Sequence, residues 1–162
     1  MPDMLVKLYE LPPLAPVAAK LAEAGIEIRR PIAPEKHVVV EWVREHFNDG
    51  WASETEVAFT HQPASCFIAI EEGEIIGFAC YESTARDYFG PTGVDVSARG
   101  KGVGTGLLIA SMHGLRELGY GYAVIGGAGP VEYYRKTVGA IPIEDSVPGI
   151  YKGMLKGKKK TD

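Results

Sequence analysis

Residues 99–104 read Arg-Gly-Lys-Gly-Val-Gly and lie between a short extended segment and a helix-like pattern. Residues 93–96 have the character of a strand, and the apolar residues after the glycines recur at helical spacing as far as about Leu118. The first N–H groups of a helix have no partners within it and carry partial positive charge, so they attract anions. Glycines let an anion approach the backbone closely, and Arg99 and Lys101 add positive charge. The sequence therefore predicts a pyrophosphate site at the start of this helix.

Other glycine-rich phosphate motifs do not fit this segment. The dinucleotide-binding pattern G-x-G-x-x-G would need glycine where Thr105 or Leu107 stands, depending on which glycine begins it. A P-loop would need serine or threonine after Lys101, and Gly102 stands there instead. The alternative without a ligand is that the glycines only form a tight strand-to-helix corner.

Composition limits the class of protein. The 162 residues suit one domain, and 46% hydrophobic with 23% charged residues is typical of a globular protein. A formal net charge of −4 argues against a nucleic-acid surface. The chain has neither a long apolar run nor a signal-peptide pattern, so we expect a cytoplasmic protein without a membrane partner. Cys66 and Cys80 lack metal-type spacing and are interpreted as buried thiols, and no metal is expected.

Hydrophobic periodicity and turn residues predict the organisation of the chain. Residues 1–25 are interpreted as an accessory segment containing a short helix, 26–155 as the main domain, and 156–162 as a disordered basic tail. Within the main domain the pattern predicts strands and helices alternating with loops. Strands are expected at 26–29, 66–71, 75–82, 93–96, 122–125, 141–143 and 150–155, and helices at 35–48, 50–60, 97–118 and 131–138.

Arg99, Gly102 and Gly104 match a known signature, Arg or Gln, two residues, Gly, one residue, then Gly or Ala. In this motif and in its order of elements the chain resembles the GNAT superfamily of N-acetyltransferases over residues 26–155. The resemblance implies an α/β fold of the acyl-CoA N-acyltransferase type, with a mixed sheet of six to seven strands flanked by helices. It also implies transfer of an acetyl group from acetyl-CoA, as co-substrate, to an amine that attacks directly in a ternary complex.

The resemblance implies which residues hold acetyl-CoA. The strand at Val94 would bind the pantetheine arm and offer a main-chain N–H to the thioester oxygen, and the next two strands would splay apart to admit it. The glycine-rich segment would bind the pyrophosphate. The residues expected to bind the cofactor are Val94, Asp95, Val96, Arg99, Gly100, Lys101, Gly102, Val103, Gly104, Thr105, Tyr133 and Tyr134.

Catalytic residues are expected in two places. Relatives carry a tyrosine one turn into the helix after the next strand, which fits Tyr134 as the acid that protonates the departing thiolate, and Tyr133 takes this role in another helix register. The spacing from Tyr134 to Gly139 is one residue longer than the family pattern. An attacking amine must also lose a proton, for which Glu82 is the first candidate and Asp95 the second.

The resemblance also indicates where the acceptor would bind. The first two helices of the main domain, the loop after Glu82 and the late strands carry aromatic and acidic residues that suit a cationic amine. These residues are Trp51, Glu54, Asp87, Tyr88 and Phe89. We expect a small-molecule or peptide amine as acceptor, no nucleic-acid partner, and a possible homodimer. The alternative function is a catalytically weak acyl-CoA-binding or sensor protein.

Overall fold

The structure is a computed structural model and describes residues 1–158. Within these residues, seven short extended segments pair with one another as strands. They are β1 (Met4–Lys7), β2 (Ile26–Arg29), β3 (Cys66–Glu71), β4 (Glu74–Tyr81), β5 (Tyr88–Val94), β6 (Tyr122–Ile125) and β7 (Ile141–Pro142). All seven belong to one mixed sheet, which agrees with the six to seven strands predicted.

The helices form where the sequence carries apolar residues three and four positions apart. They are α1 (Ala15–Glu23), α2 (Lys36–His46), α3 (Asp49–Ala58), α4 (Val103–Glu117) and α5 (Val131–Val138). Asn48 caps α3, since its side-chain oxygen accepts a hydrogen bond from the N–H of Trp51. Gly139 adopts a left-handed conformation with φ of 67° and ends α5.

The sheet has the order β2-β3-β4-β5-β6-β1-β7, and its neighbours are antiparallel except for β5 and β6. These two parallel strands pair only through Tyr88 with Val124 and Phe89 with Ile125. The remainder of β5 pairs with β4 on its other side. The sheet therefore opens between β5 and β6 after these two residue pairs.

Two apolar cores lie on opposite faces of the sheet. The face covered by α1, α4 and α5 holds the larger core, which includes Leu107, Met112 and Tyr134. The face covered by α2 and α3 holds a smaller core centred on Phe78. Each helix therefore buries its apolar side against the sheet.

The N-terminal segment contributes more than an accessory lead-in. Strand β1 lies between β6 and β7, with Met4 opposite Ile125 and Pro142, so the strand at Ile26 is the second in the chain and not the first. Met4 and Val6 are fully buried there. A segment of four residues gives too weak a pattern to predict, because its partners are more than a hundred residues away. The domain boundary at residue 25 stays a prediction.

Two other expectations about the strands were wrong. The predicted strand at 150–155 is absent from the described residues, where a 3-10 turn at Gly149–Tyr151 and irregular chain take its place. The positive φ of Gly149 and Gly153 turns the chain away from an extended path. Strand β5 runs from Tyr88 to Val94, whereas the sequence predicted a strand at 93–96, because the parallel ladder with β6 stabilises its first residues.

The start of the long helix also lies later than predicted. A 3-10 turn at Val96–Ala98 and the glycine-rich segment separate β5 from α4, which begins at Val103 and not at residue 97. Of the predicted tail at 156–162, residues 159–162 lie outside the described part of the chain.

Candidate active site

A cavity of about 580 Å³ lies where β5 and β6 separate, on the face of the sheet that carries α4 and α5. This volume falls within the range of about 300–1,000 Å³ typical of small-molecule sites. Its lining comes from β5, the glycine-rich segment, the first turn of α4, and α5. The lining residues are Phe89, Thr92, Gly93, Val94, Ala98, Arg99, Gly100, Gly102, Val103, Gly104, Thr105, Leu108, Pro130, Tyr133 and Tyr134.

The start of α4 forms one end of this cavity. Gly100 and Gly102 have φ of +83° and +84°, a conformation that side chains disfavour, and a Cβ at either position would meet nothing within 4 Å. Gly104 packs close to the strand, since a Cβ there would lie 3.7 Å from Val94 Cγ2. The first N–H groups of α4 have no acceptors within the helix. Glycines without side chains therefore leave room for an anion at a helix start, as a pyrophosphate site requires.

The two cations of the segment lie in different surroundings. Arg99 lines the cavity. Lys101 lies outside the lining, and its Nζ is 3.8 Å from Glu71 Oε2 at the end of β3. The sequence predicted both residues as cofactor ligands, but the structure brings only Arg99 to the cavity. Gly100, which lies between them in the chain, has a left-handed conformation.

Only part of the predicted pantetheine strand reaches the cavity. Val94 lines it, as do Thr92 and Gly93, which the sequence analysis did not propose. Asp95 and Val96 lie beyond the end of β5 and outside the lining. The Asp95 carboxylate accepts a hydrogen bond of 2.8 Å from Ser97, which lowers its pKa, and Val96 is 72% exposed. Asp95 is therefore poorly suited to serve as a base in this cavity.

Both tyrosines of α5 line the cavity but at different depths. The Tyr133 hydroxyl lies 2.7 Å from Thr105 Oγ1, which ties α5 to the first turn of α4. Tyr134 is 8% exposed and packs edge-on against Phe89, where β5 and β6 begin to separate. Burial, with a smaller contribution from Tyr133, raises the pKa of Tyr134 to about 12. Tyr134 is thus the tyrosine nearer the point of separation, and its hydroxyl is protonated at neutral pH.

Glu82 lies outside the cavity lining, in the turn between β4 and β5. Its carboxylate accepts a hydrogen bond from the main-chain N–H of Asp87, and both residues have positive φ. Burial and the Glu82 charge raise the pKa of Asp87 to about 6, and Asp87 Oδ1 is buried with no hydrogen-bond partner in the described residues. The first candidate for the base therefore helps to hold this turn together.

The residues expected near an acceptor are divided between the two faces of the sheet. Phe89 lines the cavity beside Tyr134. Trp51 packs into the smaller core against Phe47 and Phe78. Glu54 lies on α3 and accepts a hydrogen bond from Thr84 Oγ1. Sequence reasoning missed Thr84, which contacts Glu54 only because the turn after β4 folds back onto α3.

Two further properties concern residues 1–158. Among them, no cluster of three or more His, Cys, Asp or Glu side chains has the arrangement of a metal site. The helices in that part of the chain are all too short or too polar to span a bilayer.

A mixed sheet that opens between two parallel strands above a glycine-rich helix start defines the acyl-CoA N-acyltransferase fold. The sequence matches the model of the acetyltransferase (GNAT) family over residues 36–139, which is more than half of its length, and the chain therefore belongs to this family. Membership supports acyltransferase activity. No curated protein sequence matches the chain.

Solved structures share the fold at low sequence identity. A GCN5-related glucosamine N-acetyltransferase region of a fungal multi-domain GH3 β-N-acetylglucosaminidase aligns with a TM-score of 0.71 and 15% identity over 88% of this chain and 19% of the other. A GCN5-related N-acetyltransferase from Sphaerobacter thermophilus aligns with a TM-score of 0.66 and 22% identity over 88% and 48%. A GNAT acetyltransferase from Brucella melitensis, solved with acetyl-CoA, aligns with a TM-score of 0.52 and 19% identity over 68% and 80%. The chain thus spans less than half of the length of the first two proteins.

Proposed function

We propose that this protein transfers the acetyl group of acetyl-CoA to an amine by direct attack in a ternary complex. The observation that carries the proposal is the cavity between the diverging β5 and β6, with a glycine-rich helix start at one end and Tyr134 at the other. Its shape suits a long ligand with an anionic part and a reactive end. The Brucella melitensis relative, whose structure contains acetyl-CoA, has the same fold.

The pyrophosphate of acetyl-CoA would bind at the first N–H groups of α4, with Arg99 adding charge-assisted hydrogen bonds. Gly102, as the N-cap of α4 with φ of 84°, leaves these N–H groups uncovered. The pantetheine arm would lie along Thr92 to Val94 on the cavity side of β5. This orientation directs the thioester toward Phe89 and Tyr134, where the strands meet.

At that point the chemistry needs a proton donor and a stabilised oxyanion. The amine lone pair forms the C–N bond, the C–S bond breaks, and the electron pair leaves on sulfur, which takes a proton. Tyr134 is protonated at neutral pH because burial raises its pKa to about 12, so it is able to supply this proton. Main-chain N–H groups of β5 would stabilise charge on the thioester oxygen.

Two measurements test the proposal together. Calorimetric titration with CoA reports binding, and a thiol-release assay with acetyl-CoA and a panel of spermidine, glucosamine, phenylethylamine and a lysine peptide reports transfer. Binding together with amine-dependent thiol release is the expected result. Absence of heat with CoA refutes the proposal, whereas firm binding without release to any amine indicates the acyl-CoA-binding or sensor function instead. The cytoplasmic location, the homodimer and the amine class of the acceptor remain predictions.

A further inference from the structure

A second polar cluster approaches the separation of β5 and β6 from the face that carries α2 and α3. Side chains alternate along β5, so Phe89 faces the cavity while Tyr88 lies on the opposite face. A Cβ on Gly126, the residue after β6, would lie 2.7 Å from the Tyr151 hydroxyl oxygen and 3.0 Å from Tyr88 Cδ1. The missing side chain at Gly126 therefore lets the Tyr151 hydroxyl lie against the backbone where the two strands part.

A carboxylate belongs to the same cluster. Glu54 extends from α3, whose buried neighbours Ala52 and Thr55 hold the helix against the sheet. Its Oε1 accepts a hydrogen bond from Thr84 Oγ1. Burial raises the pKa of Glu54, and the hydrogen bond from Thr84 opposes this rise only in part. Glu54 is partly exposed, so a ligand is able to reach it.

Tyr151 connects Glu54 to the separation of the strands. Burial has the largest effect on its hydroxyl and raises its pKa, and the charges of Glu54 and Asp3 raise it further while the Thr84 side chain lowers it. Asp3 is 6% exposed, and its Oδ1 accepts a hydrogen bond of 2.8 Å from the N–H of Gly127, so it holds the loop after β6. Besides Glu54, the titratable groups that act on Tyr151 are thus Asp3 and Tyr88, and neither carries positive charge.

Resting on the proposed acetyl transfer, and on an acceptor that enters from the α3 side as the family resemblance implies, we propose that Glu54 is the general base and that the Tyr151 hydroxyl positions the acceptor ammonium. The ammonium gives one proton to the Glu54 carboxylate, and the freed lone pair attacks the thioester carbon from the face opposite the cavity. The second proton leaves nitrogen as the amide forms, and sulfur takes one proton on departure. The net products are the acetylated amine, CoA thiol and one proton released to water.

This assignment makes Glu54 the general base in place of Glu82, because the surroundings of Glu54 suit a base. A base works best with a pKa near the operating pH, and burial moves the pKa of Glu54 in that direction. The Glu82 carboxylate is engaged by the N–H of Asp87 in the turn after β4. Tyr151 was not among the named site residues, although the late strands, with the one expected at 150–155, were predicted beside the acceptor; the structure has a 3-10 turn there instead.

The test compares Glu54→Gln with Glu56→Gln in the full chain, using acetyl-CoA at saturation and whichever amine of the panel wild type acetylates fastest. The amide introduced by E54Q keeps an oxygen that accepts the Thr84 hydrogen bond, and Glu56 is an exposed carboxylate on the same helix. Loss of a general base typically costs about 10²- to 10⁴-fold in rate. We expect E54Q to lose at least about 100-fold in kcat/KM for the amine at pH 7, and E56Q to keep wild-type rates.

The pH profile separates a base from a merely structural residue. In E54Q the rate should rise about tenfold per pH unit up to the pKa of the amine, because only the free amine reacts, whereas wild type should level off at lower pH. CoA affinity by calorimetry and the melting temperature should match wild type. Equal pH profiles for E54Q and wild type would overturn the assignment while leaving acetyl transfer intact. Failure of wild type to acetylate any amine would refute the proposed function itself, and the assignment with it.

Discussion

Replacing Arg99 by alanine should weaken CoA binding strongly, whereas replacing Lys101 should not. Arg99 lines the cavity beside the start of α4, and a hydrogen bond to a charged group contributes about 1.5–3 kcal/mol. Since about 1.4 kcal/mol corresponds to a factor of ten, the Kd for CoA should rise roughly 10- to 100-fold. Lys101 Nζ lies 3.8 Å from Glu71 Oε2 in a partly exposed pair outside the cavity lining, so Lys101→Ala should change the Kd by less than about threefold.

Calorimetry with CoA measures both variants without needing an acceptor. Pantetheine, which lacks the pyrophosphate, is the matched control ligand, and its affinity should be the same for wild type and R99A. In turnover, R99A should raise KM for acetyl-CoA with little change in kcat, because the contact is remote from the reacting carbon. Equal losses for R99A and K101A, or an equal loss of pantetheine binding in R99A, would show that the cavity does not hold the pyrophosphate as argued.

Three further changes test other parts of the structure. Tyr134→Phe should lower kcat in the thiol-release assay about 100-fold with little effect on KM, while Tyr133→Phe should keep most of kcat; similar losses would contradict the assignment of Tyr134 as the acid. The pKa of Asp87 rises from 3.8 to about 6 on folding, so this carboxyl favours the folded state below about pH 4 and loses that contribution as pH rises through 6. Asp87→Asn should therefore raise the unfolding free energy, measured by urea denaturation, by about 1 kcal/mol at pH 8 and leave it unchanged at pH 4. A gain of the same size at both pH values would show that the raised pKa of Asp87 is not its cause. Gly93→Ala would bring a Cβ to 2.3 Å from Phe47 Cζ and should cost roughly 1–3 kcal/mol, less in a Phe47→Leu background; equal costs in both would show that the ring is not the obstacle.

Features that depend on neighbouring residues were predictable. Gly100 and Gly102 need their residue type because of their own positive φ, so the glycine-rich start of α4 was recognisable without knowing the fold. The β3–β4 hairpin was predictable for the same reason, since the Glu72-Gly73 turn lies between two apolar runs. The helix periodicity likewise gave α2, α3 and α5 within about two residues of their ends.

Features that depend on partners distant in the chain were not predictable from residue patterns. Strand β1 exists because β6 and β7 flank it. The opening between β5 and β6 was expected only from the family resemblance, and in the structure it follows from a parallel ladder of two residue pairs. The sequence presented Arg99 and Lys101 as equivalent cations, and only the packing of β3 beside Lys101 distinguishes them. In the same way Glu82 and Glu54 were both carboxylates in plausible segments, and Thr84 and Tyr151 surround only Glu54.

The sequence by itself thus determined that a glycine-rich segment precedes a helix, where the hairpin and the amphipathic helices lie, and which family the pattern resembles. Tertiary structure decided that Arg99 and not Lys101 lines the cavity, that Tyr134 is the more deeply buried tyrosine, and that Glu54 lies beside Thr84. The physical reason is range: φ preferences and periodicity act within a few residues, whereas burial, pKa and access depend on side chains that folding brings together from across the chain.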